Sequence, residues 1–310
     1  MVFTLTRLWR YLNIYFLKPF DAVNDTVTAS LLHKLDWSGD FLEIGSGDGA
    51  FSYIMHGGSF PLSFDRYLQA DMSLEGDVYD HHIEDAIAAK RVLTEPRIIW
   101  AVDRKLNHTK KIAEIGFVDQ AIVAAYESLP YRDKQFDSIF FYTPHCLQSH
   151  SLAISEAYRV LKPGGMCLIL VYNSAFNKDF LAYRLGMMKN NRLGKYLLSL
   201  DAGRHDELTA MSRTNCEWKQ YFWEVGFKSV RMEQGLSSLG WKVYDIQTRP
   251  ILKLLIRAFN SLPGPIRTTV KLAWLLIIYP LILLFYMFAS NRLIKLGDHD
   301  CYFAYELSKR

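Results

Sequence analysis

Three glycines stand at alternate positions directly after a short apolar run. Gly45, Gly47 and Gly49 follow residues 40–44, which read as a buried strand, and an apolar run that can open a helix comes next. Glycine lets the backbone approach a ligand closely, and a helix N-terminus favours an anion. The spacing predicts the entry to a nucleotide-type site. With Ala50 the same residues also satisfy the dinucleotide pattern G-x-G-x-x-A, so the glycines alone do not choose the ligand.

Strands and helices alternate in the chain that follows. Apolar runs of strand type fall at 98–103, 121–126, 136–142 and 166–173. A helix-like segment ends at Gly116, and another covers 152–165 and stops at Pro163-Gly164-Gly165. This alternation predicts an α/β fold with a parallel, doubly wound sheet, whose strand ends would position the glycine turn.

The composition indicates apolar surface in addition to a core. Of 310 residues, 50% are hydrophobic and 14% aromatic, which is rich for a soluble domain. Residues 1–20 and 249–297 hold ten of the 36 Lys and Arg residues and no Asp or Glu. The remaining body is therefore acidic, and the basic residues accompany the most apolar stretches. This pattern favours anionic lipid headgroups as partners and argues against nucleic acid.

The cysteines and histidines predict no metal site. The four cysteines are scattered and form no C-x-x-C pair, which excludes a disulfide framework or zinc site and fits a reducing, cytosolic setting. His81 and His82 lie beside acids, but adjacent residues of a helix do not face one site, so we interpret them as surface residues. The apolar run at the N-terminus contains charges and no cleavage site, unlike a signal peptide.

Four segments, in this order, resemble the class I S-adenosylmethionine-dependent methyltransferases, in the methyltransferase type 11-like branch. They are FLEIGSGDG (41–49), IIWAVD (98–103), ESLPYRDKQFDSIFF (127–141) and YRVLKPGG (158–165). The resemblance covers about 40–50 and 98–236. It implies a Rossmann-like sheet of seven strands and S-adenosylmethionine as the cofactor. A dehydrogenase is the rival within this fold class, but Glu43 two residues before the first glycine belongs to the methyltransferase pattern.

The resemblance also implies roles for the cofactor-binding residues. Gly45, Gly47 and Gly49 would wrap the methionine part, with Glu43 near its ammonium group. Asp103 would accept hydrogen bonds from the ribose hydroxyls, as an acceptor-only carboxylate does well.

Two of these assignments depart from the family pattern. Asp103 lies sixty residues beyond Glu43, and Asp71 is the nearer alternative. Asp103 is preferred because only it stands between an unbroken apolar strand and a helix-strand pair. At the adenine side the family's acid is replaced by Ala125, and Glu127 is the nearest carboxylate; it either reaches the adenine or is simply solvated. Tyr142 is expected to line the cofactor pocket.

Histidines after the fourth strand are the candidates for catalysis. His145 and His150 lie where the family's substrate-facing loop begins, and histidine is a suitable base at neutral pH. In the alternative interpretation these histidines are ordinary polar residues of the loop. His205 is interpreted as a solvated residue near a helix end.

The C-terminal part contains an apolar insert. Residues 214–236 resemble the last helix and sixth strand of the family, and 298–310 its seventh strand, so 240–297 is inserted between neighbouring strands. The insert includes eighteen uncharged residues, 272–289. If the two strands pair, both ends of the insert lie on one side of a bilayer. We therefore predict a re-entrant or in-plane pair of helices, broken at Pro280 and flanked by basic residues that include Lys253, Arg257 and Lys271. The alternative is a dimer interface or a buried core helix.

The remaining chain divides into a catalytic domain and an N-terminal helix. Residues 21–239 are predicted to form the methyltransferase domain, with 52–97 as an insertion. Residues 1–20 are predicted to form an amphipathic helix at the membrane interface, the alternative being a helix packed on the domain. The expected function is methylation of a lipid or lipid-linked acceptor, such as a glycolipid, polyprenyl-linked sugar or isoprenoid, at the cytoplasmic face of a membrane. A tethered methyltransferase for a soluble molecule and a non-catalytic adaptor are the alternatives.

Overall fold

Seven strands form one sheet in the part of the chain that the structure describes. The structure is a computed structural model, and it describes residues 2–32, 39–68, 99–142, 149–175, 180–188, 191–199, 202–289 and 302–310. The strands are β1 (Phe41–Ile44), β2 (Ile99–Asp103), β3 (Gln120–Val123), β4 (Phe136–Phe141), β5 (Leu161–Tyr172), β6 (Phe227–Gln234) and β7 (Tyr302–Lys309).

The strand order is β3-β2-β1-β4-β5-β7-β6. Strands β1 to β5 run parallel to one another, and β7 lies between β5 and β6 and is antiparallel to both. The predicted seven-stranded, doubly wound sheet is therefore confirmed. The strand order reverses between the parallel neighbours β1 and β4, which makes the carboxyl ends of these two strands the expected place for a ligand.

Helices cover both faces of the sheet. They are α1 (Val2–Ile14), α2 (Pro19–Leu32), α3 (Ala50–Met55), α4 (Leu106–Ile115), α5 (His150–Val160), α6 (Leu181–Gly186), α7 (Arg192–Ser199), α8 (Ala202–Met211), α9 (Asn215–Val225), α10 (Ser238–Ile246), α11 (Leu252–Asn260) and α12 (Gly264–Ala289).

Successive residues of the central strands point into two different cores. Phe41 and Phe140 pack with α1, α2 and α3 on one face, while Leu42 and Phe141 pack with α5 and α9 on the other. A parallel strand that is covered on both faces needs apolar residues at nearly every position. The continuous apolar runs in the sequence reflect this two-sided burial.

Local sequence explains where the helices begin and end. Thr214 and Glu217 form a reciprocal capping box that starts α9. Helix α5 ends at Val160, five residues before the predicted stop at 165, and Leu161 already pairs with Phe136. A residue that precedes proline disfavours helical backbone, so Pro163 turns the chain into β5 earlier than the glycines do.

The N-terminal helix α1 packs on the domain. Leu8, Tyr11 and Leu12 are fully buried, and the Tyr11 hydroxyl donates to the Phe51 carbonyl at 2.9 Å. The basic residues of this segment also face protein, since Arg10 donates to the Gly57 carbonyl at 2.8 Å. The arrangement is the packed alternative of the sequence analysis. The arginine positions explain it, since Arg7 donates to the carbonyl of Met55, the last residue of α3, at 3.4 Å, and Arg10 to that of Gly57 just after it.

Helices α10, α11 and α12 lie between β6 and β7 in the chain. Helix α12 contacts α1, α2 and α10, and Trp274 Nε1 donates to the Phe16 carbonyl at 2.8 Å. The predicted break at Pro280 is wrong, because α12 continues from Gly264 to Ala289 through that proline. Pro280 is exposed, and Ile278 and Ile282 on either side pack into the core, which offsets the missing backbone hydrogen bond.

Lys271 was predicted to flank the membrane segment, and this assignment is also wrong. The side chain is 2% exposed, lies over the Phe16 ring and donates to the Phe64 carbonyl at 2.6 Å. Arg267 turns the same way and lies 3.7 Å from Asp65. Lys253 and Arg257 on α11 remain exposed. Helical spacing explains why Lys271 is buried, since it lies on the same face of α12 as the buried residues Leu275 and Ile278.

Candidate functional site

A cavity of about 160 Å³ opens at the carboxyl ends of β1 and β4. It lies at the point where the strand order reverses, as expected for a ligand site in an open α/β sheet. Its walls come from the glycine turn, from the N-terminal helices and from the segment after α3. The lining residues are Tyr15, Asp25, Glu43, Gly45, Ser46, Gly47, Asp48, Phe51, Arg66, His108 and Tyr142.

The glycine turn takes backbone conformations that other residues avoid. Gly45, Gly47 and Gly49 all have positive φ, at 78°, 57° and 77°. A Cβ at Gly45 would lie 2.9 Å from the Tyr142 carbonyl oxygen, and one at Gly49 would lie 2.5 Å from Ile112 Cγ1. A Cβ at Gly47 would meet nothing within 4 Å. Gly47 therefore leaves space for a ligand, whereas Gly49 leaves space for α4.

Asp103 holds the glycine turn from the neighbouring strand. Its Oδ2 accepts the Gly47 N–H at 2.9 Å, and its Oδ1 accepts the Lys105 N–H at 2.9 Å. His108 Nδ1 lies 3.3 Å from Oδ1, and the Tyr126 hydroxyl donates to Oδ2 at 3.3 Å. Burial by itself would raise the pKa of Asp103, but the hydrogen bonds from His108 and Lys105 outweigh it and hold the pKa below its usual value.

Glu43 presents a carboxylate inside the cavity. Its side chain is buried, and Oε1 accepts a hydrogen bond from the Ser52 hydroxyl. Oε2 has no hydrogen-bond partner among the described residues. Burial raises the pKa of Glu43 to about 8, the Asp103 charge adds to the rise, and the Ser52 hydrogen bond opposes it only in part. The pocket thus contains a buried acceptor that suits a cationic ligand group.

A short segment after α3 connects this cavity with the insert. Arg66 reaches into the cavity and binds Asp48 through Nε and Nη2 at 3.0 and 2.6 Å. Residues on either side of Arg66 are held by α11 and α12: Lys271 binds the Phe64 carbonyl, and Asn260 binds the Tyr67 carbonyl at 3.0 Å. We call residues 64–67 the connecting segment. Although burial by itself would raise the pKa of Asp48, the Arg66 charge holds it below its usual value.

Comparison with known proteins identifies the family. Residues 87–169 match the family described as methyltransferase domain. The chain is 27% identical over 237 residues to the ubiquinone/menaquinone biosynthesis C-methyltransferase UbiE of Neisseria meningitidis serogroup C, a match that covers 72% of this chain and 85% of the relative. The chain is a class I S-adenosylmethionine-dependent methyltransferase.

Solved structures with a similar fold were also found. The [4+2]-cyclase SpnF has 15% identity and a TM-score of 0.48 over 91% of this chain and 80% of its own. A structure titled as a possible histamine N-methyltransferase from Thermotoga maritima has 13% identity and a TM-score of 0.47, covering 96% and 93%.

The residues that line the cavity of this methyltransferase suit S-adenosylmethionine. The unpartnered Glu43 Oε2 matches the ammonium of the cofactor's methionine part, and the open side of Gly47 lets the ligand approach the backbone. Asp103 fits the ribose less directly. It does not line the cavity, and its two oxygens already receive four contacts. His108, which contacts Asp103, does line the cavity and offers a polar side chain there.

The site residues predicted from the sequence fall into three groups: those that line the cavity, those that lie elsewhere, and those outside the described residues. Glu43, Gly45, Gly47 and Tyr142 line the cavity. Gly49 faces α4, and Glu127 lies apart from the cavity, where its carboxylate accepts the Ser149 N–H at 3.4 Å. The alternative ribose acid Asp71 lies outside the described residues, as do His145 and His81-His82.

The candidate base His150 and the further histidine His205 lie outside the cavity lining. His150 is half-buried at the start of α5, with Nε2 3.1 Å from Arg213 Nη2. Burial lowers the pKa of His150 and the Arg213 charge lowers it further, so it is neutral at physiological pH. His205 was interpreted as solvated, which is wrong: it is 8% exposed and stacks on Tyr183 with ring centroids 3.7 Å apart.

Five lining residues escaped sequence reasoning, among them Phe51 of α3 and His108 of α4. Tyr15 and Asp25 come from the N-terminal helical region, and Arg66 comes from the predicted insertion. None belongs to a strand-end motif. Among the described residues no group of three His, Cys, Asp or Glu side chains is placed to hold a metal.

Proposed function

We propose that this methyltransferase acts on a lipid or lipid-linked acceptor at the cytoplasmic surface of a membrane, with α11 and α12 lying in the plane of the interface. The observation that carries this proposal is the outward face of α12. Six large apolar residues spaced three or four apart are exposed along it: Ile266, Val270, Trp274, Ile277, Leu281 and Leu284. A continuous apolar stripe of this length is unusual on the surface of a soluble monomer.

The opposite face of α12 supports in-plane attachment. Leu275, Ile278, Ile282 and Tyr286 are buried against the domain along the length of the helix. Within the described residues, α12 alone is long and apolar enough to cross a membrane. A helix that packs against the domain along its whole length cannot cross a bilayer unless the domain crosses with it. The stripe can therefore enter only the leaflet that the domain faces.

Charge on α11 favours an anionic surface. Lys253 and Arg257 are exposed on the helix preceding α12, and Leu254 beside them is 64% exposed. Basic residues next to apolar ones are typical of interfacial helices. Each base near an anionic leaflet adds roughly 1 kcal/mol of attraction.

The cavity residues supply the positioning that methyl transfer needs. S-adenosylmethionine, when bound, supplies an electrophilic methyl group on a sulfonium. Transfer is an in-line displacement, so holding the two reactants in line does much of the work. Glu43 is placed to bind the cofactor's ammonium, and Gly45 and Gly47 allow close backbone approach. Tyr142 and Phe51, whose ring centroids are 5.0 Å apart, exclude water from one wall.

The distant relative is consistent with an apolar acceptor. UbiE is named for quinone biosynthesis, and a quinone that bears an isoprenoid chain is a lipid-like molecule. At 27% identity the resemblance supports the class of acceptor, not a particular compound.

Vesicle binding tests the membrane part of the proposal. We expect the protein to float with phosphatidylcholine vesicles that contain phosphatidylglycerol and less with vesicles that lack it. Ile277→Glu with Leu281→Glu should reduce binding by at least about tenfold, because each side chain withdrawn from lipid loses roughly 1.5 to 3 kcal/mol. Val230→Glu is the matched control, since Val230 is equally exposed but lies on β6. Equal binding by both variants would contradict in-plane attachment through α12.

Transfer of labelled methyl groups tests the acceptor class. The protein, tritiated S-adenosylmethionine and a lipid extract from source cells that lack the gene should give label in the organic phase. Label confined to water-soluble metabolites would establish a tethered methyltransferase for a soluble molecule instead. Calorimetry that shows no S-adenosylmethionine binding by the folded protein would indicate a non-catalytic adaptor.

A further inference from the structure

Asp25 is a carboxyl group in the cavity to which the cofactor contacts described above assign no role. It lies within α2, is 5% exposed, and lines the same cavity as Glu43, Gly45 and Tyr142. A carboxyl group inside a helix face that is otherwise buried opposes folding unless it is protonated or well paired. Its location therefore points to a chemical role rather than to stability.

The surroundings of Asp25 leave it without a close cation. The Tyr142 hydroxyl donates to its Oδ1 at 3.4 Å, Asn24 Nδ2 does so at 3.5 Å, and Tyr15 also forms a hydrogen bond with the carboxyl. The other ionisable groups that face it are Tyr11 from α1, Asp21 from α2 and Arg66 from the connecting segment. Arg66 is bound to Asp48, so its charge is only partly available to Asp25.

This environment brings the pKa of Asp25 into the physiological pH range. Burial raises its pKa to about 7, and the Tyr15 hydrogen bond and Arg66 oppose that rise only in part. A group that titrates near the working pH is well matched to proton transfer. His150, the described histidine predicted as a base, lies outside the cavity lining.

We propose that Asp25 is the catalytic residue that accepts the proton of the methyl acceptor. The acceptor atom in this case carries a hydrogen that leaves as the methyl group arrives, as a hydroxyl oxygen does. A thioether or tertiary amine, which has no proton to lose, is not the substrate. The inference rests on the proposed function, since it assigns chemistry to the acceptor side of the same cavity.

The step balances without a further reactant. The bond between the acceptor atom and its hydrogen breaks, and the proton passes to the Asp25 carboxylate. The electron pair left on the acceptor forms the bond to the methyl carbon. The electrons of the sulfur–methyl bond remain on sulfur, which becomes a neutral thioether. Asp25 then returns its proton to solvent.

Paired variants separate this role from a structural one. Asp25→Asn removes the base and keeps the shape, whereas Asp21→Asn removes a carboxylate one turn away that binds Lys18 and does not line the cavity. With a lipid extract and tritiated S-adenosylmethionine, Asp25→Asn should lower kcat by at least about 100-fold. Its dissociation constant for S-adenosylmethionine, measured by calorimetry, should change less than about threefold. Asp21→Asn should retain the wild-type rate.

The pH dependence gives a readout that a structural role would not move. The kcat of the wild type should rise with pH and level off above an inflection near 7, where Asp25 becomes ionised. Tyr15→Phe removes a hydrogen bond to the carboxylate, so the inflection should move to higher pH. A carboxyl carbon label on aspartate lets NMR follow the same titration without any acceptor.

Thermal unfolding shows whether the Asp25→Asn variant folds. It also tests independently whether folding raises the pKa of Asp25. Because folding raises the pKa of Asp25, the wild type loses stability as pH increases from the ordinary aspartate range towards 7. Asp25→Asn lacks this loss and should gain in Tm relative to wild type as pH increases.

The outcomes distinguish the two proposals. An Asp25→Asn variant that folds and keeps more than a tenth of kcat overturns the role of Asp25, as does one that loses S-adenosylmethionine binding. A methylated product with a fixed positive charge also overturns it. If the wild type labels no lipid, the proposed acceptor class fails. In that case the NMR titration decides on Asp25, and a midpoint below about 5, near the ordinary aspartate value, contradicts the assignment.

Discussion

Two glycines of the glycine turn have different roles, although they look alike in the sequence. Gly47 and Gly49 both have positive φ, but only Gly49 would place a Cβ against a neighbour, Ile112 of α4. One position serves the ligand and the other serves the packing of the domain. This difference depends on α4, which is sixty residues away in the chain, and the motif alone does not show it.

Alanine substitutions should separate these duties. Gly47→Ala and Gly49→Ala each incur roughly 1 to 2 kcal/mol of left-handed strain. Gly49→Ala adds overpacking of about 1 to 3 kcal/mol and should lower Tm more. Gly47→Ala should instead reduce affinity for S-adenosylmethionine, since its Cβ occupies ligand space. Differential scanning fluorimetry and calorimetry measure the two effects. The reverse order, with Gly47→Ala the less stable protein, would contradict this account.

Glu43 should couple cofactor binding to proton release. Burial raises its pKa to about 8, so it is largely protonated at pH 7 in the free protein. A cofactor ammonium beside it favours the carboxylate and lowers that pKa. We therefore expect proton release on binding at pH 7 and affinity that increases with pH up to about 8.

Calorimetry in buffers of different ionisation enthalpy measures the released proton. Glu43→Gln is the control, because it cannot release one. Identical release by this variant would place the cofactor's ammonium elsewhere.

The sequence predicts part of this residue-scale picture. Glu43, Gly45 and Gly47 follow from a strand that ends in a turn, a local pattern that the sequence displays. Asp25 and Arg66 do not follow from such a pattern. They reach the cavity from a helix and a connecting segment whose positions depend on tertiary packing.

At the scale of elements, the connecting segment 64–67 links the insert to the cofactor cavity. Lys271 and Asn260 hold its backbone from α12 and α11, while Arg66 in its middle binds Asp48 beside the glycine turn. The sequence predicted the strands well, because burial on both faces imposes continuous apolar runs. It failed at Lys271 and Pro280, where packing against α1 and the connecting segment outweighs charge and backbone preference.

Loosening the connecting segment should therefore weaken cofactor binding from a distance. Lys271→Met removes the hydrogen bond to the Phe64 carbonyl. We expect about fivefold weaker binding of S-adenosylmethionine by calorimetry, which corresponds to a coupling of roughly 1 kcal/mol. Lys253→Met, on the exposed face of α11, is the matched control and should bind as the wild type does. Equal losses in both variants would indicate a general charge effect instead.

At the scale of the whole molecule, the insert is part of the core and not a detachable anchor. Leu275, Ile278 and Ile282 of α12 share one buried cluster with Leu12 and Phe16 from the N-terminal region. The sequence predicted that the insert lies between the sixth and seventh strands, since both strands carry family patterns. It did not predict how much of the domain the insert covers, because that depends on which helical face meets the sheet layer.

Replacing 249–297 by a flexible linker should destabilise the catalytic domain. The deletion uncovers α1 and α2, and each buried leucine or isoleucine removed loses roughly 1.5 to 3 kcal/mol of apolar burial. We expect a lower Tm and increased binding of an apolar fluorescent dye. The outward pair Ile277→Glu with Leu281→Glu should leave Tm nearly unchanged. A deletion that keeps the wild-type Tm would show that the insert is independent of the domain.

The position of β7 also determines when the sheet can be completed during synthesis. β7 lies between β5 and β6, yet it leaves the ribosome after both of them and after all of α12. Until it emerges, β6 has no correct partner and β5 presents an open edge. The nascent protein therefore exposes an apolar helix and an unpaired sheet edge at the same time. Among these seven strands β7 is synthesised last, and it closes the edge of β5 and brings β6 into the sheet.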